Sequence, residues 1–206
     1  MFPDLLCDDV FRLETPRLWL RWPRAADAAA IARLAGDADV ARMTAQIPHP
    51  YPDGAAAEFI LLARSGNARG ESLTLALSKK RGQSEAIGCV GLRPLDDGAL
   101  ELGYWLGKSC WGRGLMTEAV REVVDMTFRY TEAPEIRASA MIGNPASRRV
   151  LETCGFSLIG QGLTPAPARG GPQPSNLFGF TREAWIDRGY VRARRPARSG
   201  DCAAPC

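Results

Sequence analysis

Apolar and polar positions follow two periods along the chain, one typical of helices and one typical of strands. In the first half, helical spacing is found in the alanine-rich stretch Ala25–Ala35 and in a stretch that begins near Asp53, a predicted N-cap. Strands are predicted at Leu18–Trp22, Leu73–Leu77, Ala86–Leu92 and from Leu100 onward. Polar turns separate the last three, which are therefore expected to form an antiparallel meander.

The second half of the sequence continues this alternation. A glycine turn after the Leu100 strand leads into a long amphipathic helix. The elements predicted after it are the strand Ile136–Met141, the helix Pro145–Cys154, and the strands Ser157–Gly162 and Asn176–Arg182. Glycine and proline in Leu163–Ser175 predict a loop between the last two strands. The pattern predicts one mixed α/β domain, with the glycine turn between its fourth strand and the long helix.

The glycine turn carries the clearest chemical signal. The strand Leu100–Leu106 leads into a turn that contains Gly112 and Gly114, and the helix follows directly. The first N–H groups of a helix have no partner within the helix, and the helix dipole adds partial positive charge there. The glycines let the backbone approach an anion where a Cβ would collide. The turn therefore predicts a site that holds a pyrophosphate with its backbone.

Spacing excludes two common phosphate-binding loops. A Walker loop needs a glycine five residues before Gly107-Lys108-Ser109, and that position is Leu102. A dinucleotide-binding fingerprint needs a third glycine where Thr117 stands, and an acidic residue about 20 positions further on at the end of a second strand; both are missing. A shorter G-x-G turn remains.

Three segments, in this order along the chain, resemble motifs of one family. LETPRLWLR (Leu13–Arg21) resembles the first strand of the RimJ/RimL-like branch of the GNAT acyltransferases. WGRGLMTEAV (Trp111–Val120) is similar to that branch's coenzyme A pyrophosphate loop, and NPASRRVLETCGF (Asn144–Phe156) to its N-x-x-S helix ending in Gly-Phe. The sequence departs from the family at Ser109, where Gln or Arg is frequent, which leaves the backbone as the predicted phosphate ligand.

The resemblance implies a fold, a domain and a reaction. It implies a single GNAT-like domain over residues 13–190, with a central, mostly antiparallel sheet and flanking helices. Residues 1–12 would be an N-terminal extension, and residues 191–206, which have no apolar period, are predicted to form a disordered tail. The implied reaction moves an acetyl group from acetyl-CoA to a primary amine, either a protein N-terminus or a small molecule, without a metal.

The residues expected to bind the coenzyme come from the strand, the turn and the later helix. If the strand splays from its neighbour, its backbone is expected to pair with the amide-bearing pantetheine arm, while the side chains of Tyr104 and Trp105 pack in the core. Asn144 would hydrogen-bond the coenzyme, with helix capping as the alternative. The predicted set is Tyr104, Trp105, Leu106, Trp111, Gly112, Arg113, Gly114, Leu115, Met116 and Asn144. Arg148 and Arg149 are further candidates for a phosphate contact.

Two side chains are the main candidates for catalysis. By the resemblance, Ser147 donates a hydrogen bond to the departing thiolate, in the manner of an oxyanion donor; a solvated helix residue is the alternative. Glu101 is the candidate base, acting through a water, with surface charge as the alternative, and His49 is a second candidate because histidine titrates near neutral pH. Glu118, in the first helical turn, is expected to complement the helix dipole. Direct attack in a ternary complex is expected, since no nucleophile–base pair is visible.

Composition narrows the functional classes. A chain of 206 residues with 46% hydrophobic and 24% charged residues is ordinary for a globular enzyme. The net charge of +3 is too small to indicate nucleic acid. No apolar run approaches about 18 residues, and the N-terminus lacks a basic flank, so neither a membrane span nor a secretion signal is predicted and a cytoplasmic location is expected. The six cysteines form no C-x-x-C pair, and a lone His49 leaves little for a metal site.

The acceptor amine and the oligomeric state stay open at this point. Two loops, Ile47–Tyr51 and Leu163–Ser175, are expected to contact the acceptor, and neither is strongly acidic, so a polycationic acceptor finds little attraction. A non-catalytic acyl-CoA-binding sensor or scaffold domain is the alternative function. It would use the same glycine turn, and release of the coenzyme thiol in the presence of an acceptor would distinguish the two.

Overall fold

One eight-stranded sheet forms the centre of the protein in the computed structural model, which describes residues 2–82 and 84–189. The strands are β1 (Arg12–Glu14), β2 (Leu18–Arg21), β3 (Leu73–Lys79), β4 (Gly88–Pro94), β5 (Leu100–Leu106), β6 (Glu135–Met141), β7 (Ser157–Thr164) and β8 (Gln173–Thr181). The α-helices in the same residues are α1 (Ala28–Ala35), α2 (Ala38–Arg42), α3 (Ala55–Ala68), α4 (Leu115–Tyr130), α5 (Pro145–Cys154) and α6 (Arg182–Asp187). None of these helices is long and apolar enough to cross a membrane. The tail predicted at 191–206 lies outside the described residues.

The strands are arranged in the order β1-β2-β3-β4-β5-β6-β8-β7. Every neighbouring pair is antiparallel except β5 and β6, which are parallel. A parallel pair needs a long crossover connection, and α4 supplies it. The predicted mixed α/β fold, with a mostly antiparallel sheet and flanking helices, is confirmed.

Side chains on the two faces of the sheet pack into two hydrophobic clusters. On one face, alternate strand residues such as Leu75, Leu100 and Phe178 pack with apolar residues of α4 and α5. On the other face, Ile31 of α1 and Ile60 of α3 pack against β3 and β4. The sheet therefore separates α4 and α5 from α1 and α3.

The one parallel pair of the described sheet is short. Its register runs only from Leu100 opposite Ile136 to Leu102 opposite Ala138. Beyond this point β5 remains paired with β4, and β6 remains paired with β8, each to its end. The two strands separate after Leu102, and a gap opens between them at the carboxyl end of β5.

Short elements at the edges of the fold differ from the sequence prediction. The glycine turn follows the fifth strand, because Arg12–Glu14 pairs with β2 at the edge of the sheet. Three residues are too few to show a strand period, and α2 and α6, of five and six residues, are too short to show a helical one. The N-cap position of α3 is occupied by Gly54 and not by Asp53, and no side chain caps this helix; Gly54 adopts a φ of 79°, in the left-handed region that favours glycine.

The two ends of the segment Leu163–Ser175 belong to the strands of a hairpin, which residues 165–172 connect, although its glycine and proline content predicts a loop throughout. β7 extends to Thr164 and β8 begins at Gln173. The hydroxyls of Thr164 and Ser175 lie 2.7 Å apart across the two strands, and such cross-strand pairs stabilise a ladder. The loop prediction was wrong at both ends because strand pairing outweighs local composition.

A buried ion pair joins β2 to the start of the first helical segment. The Arg21 guanidinium donates to both carboxylate oxygens of Asp27, at 2.7 and 2.8 Å, and to the Ser84 carbonyl at 2.8 Å. Asp27 also accepts from the backbone N–H groups of Arg24 and Ala86. Burial by itself would raise the pKa of Asp27, but the hydrogen bonds, first of all that from Arg21, lower it. The pair is therefore ionised and fully bonded at neutral pH.

Replacing Asp27 with asparagine is expected to lower the free energy of unfolding by about 3 kcal/mol, because the substitution leaves a buried guanidinium without a counter-charge. Since the pKa of Asp27 is lowered in the folded state, its contribution is present at neutral pH and is lost as the pH falls through that pKa. Urea unfolding at pH 7 and at acidic pH measures both effects. Asp9→Asn is the control, because Asp9 pairs with Arg64 at the surface and its loss should change little. Equal stability of Asp27→Asn and the parent would contradict the expectation.

Candidate functional site

A cavity of about 410 Å³ lies where β5, the glycine turn, α4 and α5 meet. One side of it is closed by α2 and the residues that follow, through Val40, Met43 and Thr44. The predicted site residues that line the cavity are Tyr104, Trp105, Leu106, Trp111, Gly112, Gly114, Leu115, Met116, Asn144 and Ser147. Glu101 and Arg113 are the predicted residues that do not line it. The fold thus brings two distant sequence segments to one cavity, and adds a wall from α2 that the sequence does not reveal.

The glycine turn adopts a conformation that its two glycines permit. Gly112 and Gly114 have φ values of 71° and 69°, in the left-handed region. No atom lies within 4 Å of a Cβ built on Gly112, so this side of the turn is open. Among the described residues, the N–H groups of Gly112, Arg113 and Gly114 have no protein acceptor. Together with the unpaired N–H groups of the first turn of α4, they could hold an anion.

The carboxyl end of β5 has an open backbone edge. Gly107 N–H donates to the Ile87 carbonyl at 2.8 Å, and an antiparallel ladder alternates between residues that bond the neighbouring strand and residues that do not. By this alternation Tyr104 and Leu106 direct their backbone groups away from β4, towards the gap beside β6. The Leu106 carbonyl accepts from the Trp111 indole N–H at 2.7 Å. The N–H and C=O of Tyr104 therefore remain for a ligand that enters the gap.

Asn144 determines where α5 begins. Its Oδ1 accepts from the Ser147 N–H at 3.0 Å, and Pro145 occupies the first helical position. Its Nδ2 donates to the Met43 carbonyl at 3.1 Å and so joins the end of α2 to the start of α5. The capping alternative for Asn144 is observed, and the amide has one further N–H to offer a ligand.

The side chains of Tyr104 and Ser147 meet at the cavity. The Tyr104 hydroxyl lies 3.0 Å from Ser147 Oγ and 3.2 Å from the Ser147 carbonyl oxygen. Burial raises the pKa of Tyr104, so the phenol keeps its proton. The expected core packing holds for the Trp105 side chain and for the Tyr104 ring, each of which packs beside a hydrophobic cluster. The contact between the two hydroxyls was missed, because it joins residues 43 positions apart.

The two candidate bases lie outside the cavity lining. Glu101 forms an ion pair with Arg93, its neighbour on β4, and occupies the face of β5 opposite Leu100. His49 is exposed, and its Nδ1 lies 3.1 Å from the Gly36 carbonyl oxygen. The structure therefore does not place either side chain beside Ser147.

The candidate arginines are separated by the fold. Arg149 lines the cavity, whereas Arg148 forms an ion pair with Glu152 on the same helix. Arg113 is exposed, and its side chain lies outside the lining. The sequence could not choose between Arg148 and Arg149, because the choice depends on how α5 is rotated against the sheet. The described residues hold no group of three or more His, Cys, Asp and Glu side chains that could bind a metal ion.

Residues 17–157, more than half of the chain, match the family model described as "Acetyltransferase (GNAT) domain". The chain belongs to the GNAT acetyltransferase family. The family predicted from the three motifs is thereby confirmed. This GNAT chain is 28% identical over 151 residues to the protein named "Uncharacterized N-acetyltransferase p20" of Bacillus licheniformis, a match that covers 72% of this chain and 83% of that protein. Matches to other curated relatives, from Bacillus subtilis, span only 39–54% of the length of those proteins.

Solved structures share the fold at low sequence identity. RimL, a ribosomal L7/L12 α-N-protein acetyltransferase solved with coenzyme A, superimposes with a TM-score of 0.72 at 17% identity, over 84% of this chain and 99% of that one. Spermidine N-acetyltransferase from Vibrio cholerae, solved with coenzyme A and spermine, gives a TM-score of 0.67 at 18% identity, over 82% and 98% of the two chains. At such identities the likeness establishes the GNAT fold.

Proposed function

We propose that this GNAT protein is an N-acetyltransferase that moves an acetyl group from acetyl-CoA to a primary amine, by direct attack in a ternary complex. One observation carries the proposal: a single cavity joins the unpaired N–H groups of the glycine turn, the open backbone edge of β5 and the hydroxyl of Ser147. The N–H groups would match the pyrophosphate of the coenzyme, the backbone edge would match the amides of its pantetheine arm, and the hydroxyl would match its thioester sulfur.

The residues present fit acetyl-CoA. The N–H groups from Gly112 to the first turn of α4 would hold the pyrophosphate, with Arg149 as a further cation at the lining. The Tyr104 backbone groups would pair with the amides of the pantetheine arm, as one strand pairs with another. These contacts would orient the thioester at the gap between β5 and β6, and such positioning would increase the rate of the reaction. When bound, acetyl-CoA supplies an activated acyl group.

Ser147 and Tyr104 supply the polar hydrogens at the reacting end. If the Tyr104 phenol donates to Ser147 Oγ, the Ser147 hydroxyl is left to donate to the leaving sulfur as negative charge develops there. The amine must lose a proton, and an α-amino group, which titrates near 8, is already partly neutral at physiological pH. A water is therefore sufficient as the immediate proton acceptor, and Glu101 and His49 stay candidates for the more distant base.

The two loops predicted to contact the acceptor touch each other. Arg169 Nη2 donates to the Ile47 carbonyl at 2.6 Å, and the Ala168 N–H donates at 3.1 Å to the carbonyl of Ala45, two residues before the first loop. We infer that the acceptor amine binds between these two loops, which therefore determine which amines are accepted. The RimL relative is named for a ribosomal protein α-amino group and the Vibrio cholerae relative for spermidine. Between these classes we favour a protein N-terminus or a small monoamine, because the two loops carry little negative charge. The predicted cytoplasmic location stays a prediction.

Calorimetric titration with acetyl-CoA tests the first part of the proposal, with ATP and NAD as control ligands. Selective binding of acetyl-CoA is expected. Release of the coenzyme thiol, measured with peptides bearing free N-termini and with spermidine, then tests the chemistry. Binding without thiol release from any amine would favour the non-catalytic sensor instead, and no binding by the folded protein would overturn the assignment of the glycine turn.

Replacing Tyr104 with phenylalanine is expected to lower kcat about tenfold, the effect of losing one hydrogen bond worth about 1.4 kcal/mol in the transition state. The KM for acetyl-CoA should change little, because the Tyr104 backbone groups remain. Steady-state kinetics with varied acetyl-CoA separates the two constants. A change in KM alone would mean that the Tyr104 hydroxyl contributes to coenzyme binding and not to the chemical step.

A further inference from the structure

The turn between β1 and β2 is hydrogen-bonded to the start of α4. The Thr15 hydroxyl and the Arg17 backbone N–H donate to Glu118 Oε1, at 2.5 and 2.8 Å, and Arg17 Nε donates to Glu118 Oε2 at 2.5 Å. Arg17 Nη1 donates to the Arg113 carbonyl oxygen at 2.8 Å. The Arg17 guanidinium therefore bridges the first turn of α4 and the glycine turn that precedes it.

The bond to Arg113 determines the direction of the next N–H group. In a trans peptide the C=O of Arg113 and the N–H of Gly114 point in opposite directions. Arg17 holds the carbonyl on its own side of the turn, so the Gly114 N–H is directed away from Arg17, and Gly114 lines the cavity. This peptide joins Arg113 to Gly114, and the conformational freedom of Gly114 would otherwise let the peptide turn its carbonyl towards the anion.

Glu118 places a negative charge close to the proposed pyrophosphate site, and Arg17 neutralises it. Glu118 lies in the first turn of α4, and its side chain is only 14% exposed. Burial by itself would raise the pKa of Glu118, but hydrogen bonds from Thr15 and Arg17 lower it, so the carboxylate is ionised at neutral pH. Arg17 uses Nε and Nη1 within the protein, which favours a supporting role over direct phosphate binding.

We propose that Arg17, held by Glu118, is a positioning residue that keeps the Gly114 N–H directed into the coenzyme cavity. This inference rests on the proposed function, because the ligand expected at that N–H is the pyrophosphate of acetyl-CoA. It assigns a role to the segment LETPRLWLR, and it makes Glu118 an anchor for Arg17 beyond its interaction with the helix dipole.

Arg17→Ala is expected to weaken acetyl-CoA binding about tenfold in calorimetry, while kcat at saturating acetyl-CoA stays within about twofold of the parent. Arg17→Lys keeps the positive charge but has a single ammonium group in place of the guanidinium with its several N–H donors. Its affinity for acetyl-CoA should lie between those of the parent and Arg17→Ala. The amide resonance of Gly114 reports the orientation directly: acetyl-CoA should shift it strongly in the parent and weakly in Arg17→Ala. An unchanged affinity, or the same Gly114 shift in both proteins, overturns the proposal.

The double variant Arg17→Ala/Glu118→Gln separates peptide orientation from charge. Removing the carboxylate relieves its repulsion of the pyrophosphate, so a partial recovery of affinity is expected; full recovery would mean that Arg17 acts by charge alone and would overturn the orienting role. Arg33→Ala is the matched control, because Arg33 forms an exposed ion pair with Glu85 outside the cavity and its loss should leave binding unchanged. If the parent itself does not bind acetyl-CoA, the proposed function fails first, so the two failures are distinguishable.

Discussion

Gly112→Leu is expected to weaken acetyl-CoA binding at least about 100-fold, a loss of about 2.7 kcal/mol of binding free energy. Gly112 lines the cavity, and its φ of 71° places the backbone in a region that leucine rarely adopts. A side chain on this residue would occupy the space through which a pyrophosphate approaches the N–H groups of the turn. Calorimetry with acetyl-CoA measures the loss directly.

The protein is expected to fold despite this substitution, because no atom lies within 4 Å of a Cβ built on Gly112. Gly98→Leu is a matched control: Gly98 has a φ of 84° in a turn between β4 and β5, its Cβ position is equally open, and it lies outside the cavity. Both variants should lose similar thermal stability, and only Gly112→Leu should lose affinity. Unchanged affinity in a folded Gly112→Leu protein would refute the glycine turn as the phosphate site.

Ser147→Ala is expected to lower kcat about 100-fold with little change in acetyl-CoA affinity. A hydrogen bond aimed at charge that develops in the transition state contributes on this scale, and contributes little to ground-state binding. The helix should be unaffected, because Asn144 caps α5 through the backbone N–H of Ser147 and alanine keeps that group. Single-turnover release of the coenzyme thiol at saturating acetyl-CoA is the measurement.

Two further variants show whether the hydroxyl itself matters. Ser147→Thr keeps a hydroxyl at this position and should retain part of the activity, whereas Ser65→Ala, on α3 and outside the cavity lining, should leave turnover unchanged. Because Tyr104 is bonded to Ser147, the double variant with Tyr104→Phe should be less impaired than the product of the two single effects. Full turnover in Ser147→Ala would show that this serine is not the thiolate donor.

Local patterns were sufficient for the longer elements of the fold. α5 was predicted with the bounds Pro145–Cys154 that the structure shows, because a polar cap, a proline at the first position and a final glycine mark its ends within the sequence. The boundaries that failed are those set by pairing with another strand, which the local pattern of apolar and polar residues does not show. β1 exists because β2 is beside it, and β7 extends to Thr164 because β8 pairs with it.

The candidate site likewise has some features that could be predicted from the sequence and others that could not. Gly112, Gly114 and the start of α4 are contiguous, so their arrangement follows from backbone conformation and could be predicted. The approach of Tyr104 to Ser147 could not, because it depends on how far β5 and β6 separate after three paired residues. Nor could the pairing of Arg17 with Glu118, residues 101 positions apart, although both belong to segments that resemble the family motifs.

By itself, the sequence determined the mixed α/β class and the position of the glycine turn, because periodicity, caps and turn glycines act over a few neighbouring residues, and its resemblance to three family motifs indicated the GNAT family. Only the tertiary structure decided which side chains share the cavity. It brought Ser147, Tyr104 and Arg149 to the lining and left Glu101 and Arg113 outside it. The reason is geometric: which way a side chain or a backbone N–H faces depends on the pairing of strands and the rotation of helices against the sheet, and these are set by contacts between residues far apart in the chain.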